Sequence, residues 1–146
     1  TKFLLYTVPG QVVYNATREL VLRGVDGLVF VADSDPDRWD ANMEAWQNLL
    51  QTLQNNGRDL SEIPLVFQYN KRDLPNAVPL AELARQLNPH GFPAFEAAAP
   101  AGKGVLETLE VLSSEVLRRF HLRREEEARE VSTRHGQPIT EASASW

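Results

Sequence analysis

Apolar residues follow two rhythms along this chain. Short, near-continuous runs rich in β-branched and aromatic residues alternate with longer stretches in which apolar residues recur every three or four positions, which predicts strands and helices in turn. Residues 2–8 predict a first strand, closed by Pro9-Gly10. Tyr14 to Leu22 predicts a helix packing through Leu20 and Val21 and capped by Gly24. Residues 25–33, Val-Asp-Gly-Leu-Val-Phe-Val-Ala-Asp, have the continuous apolar character of a strand buried on both faces. Ser34-Asp35-Pro36 then supplies a cap and a first-turn proline for a helix from about Pro36 to Asn55. Its apolar positions, Trp39, Met43, Trp46, Leu50 and Leu53, share one face, and core packing is the expected use of that face rather than a cofactor pocket.

The second half repeats the alternation. A strand over 64–69 breaks off at Asn70-Lys71-Arg72-Asp73, and Pro79 to Leu87 predicts a short helix. Asn88-Pro89-His90-Gly91 is a turn, and Phe92 to Ala97 a last short strand. A closing helix begins near Lys103, with Val105, Leu109, Leu112, Val116 and Phe120 on one face. Arg123 to Glu127 extends it as a solvated rod, and residues 131–146 read as a disordered tail. Four strands alternating with four helices make an α/β chain with a parallel sheet and right-handed crossovers.

Composition narrows the function. The 146 residues suit one domain, and a net charge of -5 argues against a nucleic-acid surface, which needs clustered Lys and Arg. No apolar run approaches the roughly 20 residues of a membrane-spanning helix. The absence of Cys fits a reducing, cytoplasmic setting, and His90, His121 and His135 are too far apart for a helical zinc pair.

Chemistry concentrates at three expected strand ends. In open parallel sheets ligands bind beyond the carboxyl ends of the strands. In the Asn70 loop, Asp73 can accept two parallel hydrogen bonds from the N1–H and N2–H groups of guanine, where adenine offers an acceptor instead. The Lys71 stem can lie along a base, and the Asn70 amide can tie neighbouring loops together. At Thr7-Val8-Pro9-Gly10-Gln11, glycine lets a backbone N–H approach a phosphate, and Gln11 can orient an attacking water. At Glu96-Ala97-Ala98-Ala99-Pro100-Ala101-Gly102-Lys103-Gly104-Val105, small residues leave room for a flat base and expose N–H groups to a carbonyl oxygen. Each of the three, alone, is equally what a surface turn looks like.

In this order and at these strand ends they resemble the Ras-like small GTPases. Asn70-Lys71-Arg72-Asp73 matches the Asn-Lys-x-Asp guanine box, and Ala98-Ala99 stands where that family has Ser-Ala, with Ala99 N–H facing the guanine carbonyl. Thr7 to Gln11 falls on the Asp-x-x-Gly-Gln switch, with Thr7 in place of the Asp. That substitution and the strings around it resemble the bacterial MglA group of gliding-motility and cell-polarity GTPases, over residues 2 to about 120. The resemblance implies a three-layer P-loop NTPase-like fold with a mostly parallel sheet. It further implies binding of GTP or GDP with Mg2+, GTP hydrolysis with Gln11 placing the water, and Thr7 and Gly10 on the phosphate side. A roadblock-type, MglB-like activating partner would meet residues 10–24.

No Gly-x-x-x-x-Gly-Lys-Ser/Thr string occurs in the sequence. The expectation is therefore an N-terminally incomplete GTPase domain over 1–120, with a charged extension over 121–146 and no assigned metal ligand. Such a chain would bind guanine nucleotide weakly and hydrolyse GTP poorly by itself. The rivals are a non-catalytic module docking the roadblock partner through Tyr14 or Leu22, and an unrelated receiver-like doubly wound domain.

Overall fold

The computed structural model describes residues 1–8 and 15–135. Among these, helix α1 (Asn15–Arg23) leads into strand β1 (Leu28–Asp33), helix α2 (Trp39–Asn55), strand β2 (Leu65–Asn70), helix α3 (Leu80–Leu87), strand β3 (Ala94–Glu96) and helix α4 (Val105–His135). The strands form one parallel sheet in the order β1-β2-β3, with Leu28 opposite Leu65, Asp33 opposite Asn70, and Phe67 opposite Ala94.

Strand alternation assigns the two faces. On one, Trp46 of α2 meets Phe30 edge-on at 5.1 Å, and both rings contact Phe67. Such aromatic pairs add to the burial of their area. Leu49, Leu53, Leu83 and Leu87 complete this core. The apolar face of α2 therefore serves packing, as expected, but it runs through Leu49 while Leu50 is exposed. On the other face lies α4, where Thr108 reaches Gln68 and Leu112 and Val116 press against Gly27.

Helix ends follow chain chemistry. The Asp35 side chain accepts from Asp37 N–H in a single turn that precedes α2, and Pro36 opens that turn. At the other end Gly57 takes φ of 67°, while Gly57 N–H and Arg58 N–H return to Gln54 and Leu53 carbonyls. This is the paired closure typical of a helix ended by glycine. Gly24 does not cap α1 in that way: it lies outside the left-handed region, and the Arg58 guanidinium donates to Val25 O at 2.6 Å and to Leu22 and Arg23 O at 3.4 Å. A cation there also suits the negative end of the helix dipole. Leu20 points outward and Leu22 is buried, the reverse of the expected packing through Leu20.

Three further expectations are corrected. The strand over 2–8 does not form; residues 1–8 have no regular structure, and Phe3, Leu4, Leu5 and Tyr6 are exposed. A strand exists only where a neighbour satisfies its backbone groups, and the outer edge of β1 makes no ladder with this segment. Accordingly β1 is not buried on both faces: Phe30 and Ala32 are, while Val29 and Val31 are exposed. Among the described strands only β2, flanked on both sides, is buried throughout from Leu65 to Tyr69. Finally, α4 continues to His135, so 131–135 are helical where a disordered tail was expected. Residues 136–146 lie outside the described residues.

Candidate functional site at the carboxyl end of the sheet

Three loops meet where β1, β2 and β3 end. Beyond β1 and β2 the ladder runs on for one step, Ser34 N–H donating to Asn70 O at 3.0 Å, and Val78 N–H returns to Ser34 O at 2.8 Å. That register, not the local sequence, brings Asp33 beside the Asn70 loop.

Asn70 behaves as expected of it. Its Oδ1 accepts from Ala99 N–H at 3.1 Å, tying the β2 loop to the β3 loop. The same bond means that the Ala99 N–H is already engaged, so a base carbonyl arriving there must share it with Asn70 or displace the amide. Ala98 is buried and Ala99 exposed, which leaves the second alanine on the accessible side.

Lys71 has φ of 62°, in the left-handed region that residues with a Cβ rarely enter. Such a conformation costs about 1–2 kcal/mol. Its head group lies 2.7 Å from Asp33 Oδ2, and Leu74 N–H donates to its carbonyl at 3.1 Å. Asp33 is itself fixed: Asp35 N–H donates to Oδ1 at 3.0 Å, and Asn42 both accepts from its backbone N–H (3.0 Å) and donates to its carbonyl (2.8 Å).

Arg72 faces inward. Its N–H donates to Ala97 O at 3.0 Å and its Nη1 to Val78 O at 2.6 Å, while Nε stands 3.5 Å from Glu96 Oε1 without a hydrogen bond. Asp73, next along, is exposed, and among the described residues its carboxylate has no hydrogen bond or ion pair. The loop is thus fastened at Asn70, Lys71 and Arg72 and leaves one free acceptor pair at its tip.

The Ala98 loop has its own support. Gly104 takes φ of 76°, and a Cβ there would fall 2.0 Å from Glu96 O, so only glycine lets the start of α4 approach β3 this closely. Gln68 and Thr108, both buried, direct their donors at Gly104 O, at 3.3 and 2.5 Å. Ala98 N–H donates to Lys103 O at 3.1 Å. Near the same end of the sheet, burial pushes the Tyr69 phenol up.

Of the residues expected on the phosphate side, Thr7 is exposed and outside any strand, while Gly10 and Gln11 lie outside the described residues. Among the described residues no three His, Asp or Glu side chains converge to hold a metal ion. The residues that sequence reasoning missed are Asn42, Gln68, Thr108 and Gly104, together with the pairing of Asp33. The Gly102-Lys103-Gly104 string was a visible signal, and so was an acid closing β1; Asn42 and Thr108 gave none.

A parallel sheet covered by helices on both faces, with an Asn-Lys-x-Asp loop joined to an alanine loop at its carboxyl end, is part of a Ras-like GTPase domain. The profile described as "ADP-ribosylation factor family" matches residues 1–116, and the chain belongs to that family. The "Mutual gliding-motility protein MglA" of Myxococcus xanthus is 55% identical over 117 residues, covering 80% of this chain and 60% of that protein. "ADP-ribosylation factor-like protein 4C" of Homo sapiens is 33% identical over 104 residues, covering 66% of this chain and 52% of the relative, and the Mus musculus protein matches to the same extent. The chain therefore spans little more than half the length of these relatives. None of its described helices is long and apolar enough to cross a membrane.

Proposed function

We propose that this chain carries the base-recognition half of a GTP-binding switch of the gliding-motility type. The observation that supports this most is the unpaired Asp73 carboxylate, held beside the Asn70–Ala99 tie by a loop fastened on three residues. Asp73 selects guanine through its N1–H and N2–H, the Lys71 stem flanks the base, and the Ala99 N–H meets the carbonyl once Asn70 shares it. GTP or GDP is the ligand, with Mg2+ on a phosphate side to which Thr7, Gly10 and Gln11 belong, Gln11 placing the attacking water. This chain alone binds weakly and turns over little GTP, because the described residues offer no phosphate cradle. A roadblock-type partner docks through residues 10–24; Tyr14 lies outside the described residues, and exposed Leu20, rather than buried Leu22, is the described residue to test.

Titration of GMP and AMP into the 146-residue chain tests the reading. Expected is measurable GMP binding, at least tenfold weaker AMP binding, and a swing of preference toward XMP in Asp73→Asn, whose amide donates to the xanthine carbonyl. Equal affinity for GMP and AMP sinks it.

A further inference from the structure

We infer that Asp33 is a positioning residue for the base, acting through Lys71 without touching the nucleotide, an inference that rests on the guanine-binding reading of the loop. The Lys71 side chain is held at both ends: its backbone sits in the left-handed region at φ 62°, and its ammonium is 2.7 Å from Asp33 Oδ2. Between those two points the four-methylene stem is stretched across the carboxyl ends of β1 and β2, which pair Asp33 with Asn70. A stem so fixed is a ready apolar strip beside the Asn70–Ala99 tie, where a flat ring would lie.

Asp33 is able to aim the lysine because it is immobilised itself. Asn42, 7% exposed, clamps both its backbone N–H and its carbonyl, so the Cα cannot swing. Asp35 N–H fixes Oδ1, which turns Oδ2 toward Lys71. Released from the carboxylate, a half-exposed lysine would spread over its rotamers and the base would have to order it again, losing affinity to side-chain entropy. A preset lysine is thus part of the binding energy, set by a residue on another strand.

The rival role for Asp33 is purely local, holding Asp35 and the start of α2. A cycle of variants separates the two: GMP affinity of Asp33→Ala, Asp33→Glu, Lys71→Met and the Asp33→Ala/Lys71→Met pair, each with its melting temperature. Positioning predicts roughly fivefold weaker GMP binding in Asp33→Ala, the size of a half-exposed ion pair. It also predicts partial recovery in Asp33→Glu and no further loss when Asp33→Ala is added to Lys71→Met. It predicts as well that the Lys71 side-chain carbons, ordered by NMR relaxation in the nucleotide-free chain, become mobile in Asp33→Ala. An Asp33→Ala loss of the same size in the parent and in the Lys71→Met background, or a melting shift with no change in affinity, overturns the inference. A parent chain that orders Lys71 yet shows no preference for GMP over AMP overturns the guanine reading, and this role with it.

Discussion

Two apolar runs of similar make-up, Phe3–Val8 and Leu65–Tyr69, meet opposite fates. Both are β-branched and aromatic, and both end in polar or turn residues. Leu65–Tyr69 lies between two strands with a helix on each face and is buried at every position. Phe3–Val8 has no ladder and exposes its large side chains. Between them stands β1, paired on one edge, which buries Phe30 and Ala32 but leaves Val29 and Val31 exposed. Burial thus grades with the number of neighbouring strands, and the composition of the run does not decide it. The consequence is functional: the loop after β2 is anchored by two flanking loops, whereas nothing described anchors Thr7.

The largest expected effect tests that gradient directly. Phe67→Ala removes a fully buried ring that touches Phe30 and Trp46, and should cost about 3–5 kcal/mol. Leu5→Ala, at a residue 73% exposed, should stay within about 0.5 kcal/mol. Urea unfolding followed by tryptophan fluorescence reads both. A loss at Leu5 comparable to that at Phe67 would show that the leading segment is packed in solution and would erase the contrast.

Gly104→Ala comes next and links packing to the site. Its strained φ of 76° and the 2.0 Å approach of the new Cβ to Glu96 O should cost about 2–3 kcal/mol. Because Ala98 N–H bonds to Lys103 O and the Gly104 carbonyl collects Gln68 and Thr108, the strain should also move Ala99. GMP affinity is expected to fall with stability in this variant, whereas Phe67→Ala should lower stability with affinity retained wherever the chain is still folded. Unchanged affinity in Gly104→Ala would detach the Ala98 loop from base recognition.

How much of this was visible in the sequence follows from how local each feature is. The Asn70 tie was legible because Asn70 and the alanine pair sit at strand ends whose order the chain itself announces. The helix α2 and its Asp35-Pro36 start were legible for the same reason: caps and periodicity are written within a few residues. The Lys71–Asp33 pair was not, although Asp33 closes an apolar run, because it depends on the register that sets Asp33 against Asn70. Arg72 read as a loop residue, yet it donates inward to Val78 and Ala97, contacts made only when α3 and β3 arrive. Residues 2–8 were misread for the converse reason. A β-prone run reports that it could pair and says nothing of whether a neighbour stands at hydrogen-bonding distance.

The smallest expected effect lies at the opposite end of the sheet from the Asn70 loop, where α4 passes the start of β2. The hydrogen bond from Arg118 holds the Glu115 carboxyl down to about 2 against an ordinary 4.5; partial burial opposes this and Arg119 adds to it. Arg119 also donates to Ser61 O at 3.0 Å, fastening α4 to the turn before β2. Because the folded value is the lower one, the stabilisation is fully present above the ordinary value of 4.5 and is lost as pH falls through about 2. The side chain is a third exposed, so water and salt screen the pair, and Glu115→Gln should cost less than about 1 kcal/mol at neutral pH. The gap between parent and variant should hold constant down to pH 4.5, narrow below it, close near pH 2, and shrink in 1 M salt. GMP affinity should not change, since α4 meets the site through Gly104 and Thr108, well before Glu115 along the helix. An affinity loss in Glu115→Gln, or a stability gap that widens as pH falls, would mean that this end of α4 bears on the loop end of the sheet and that the two are not independent.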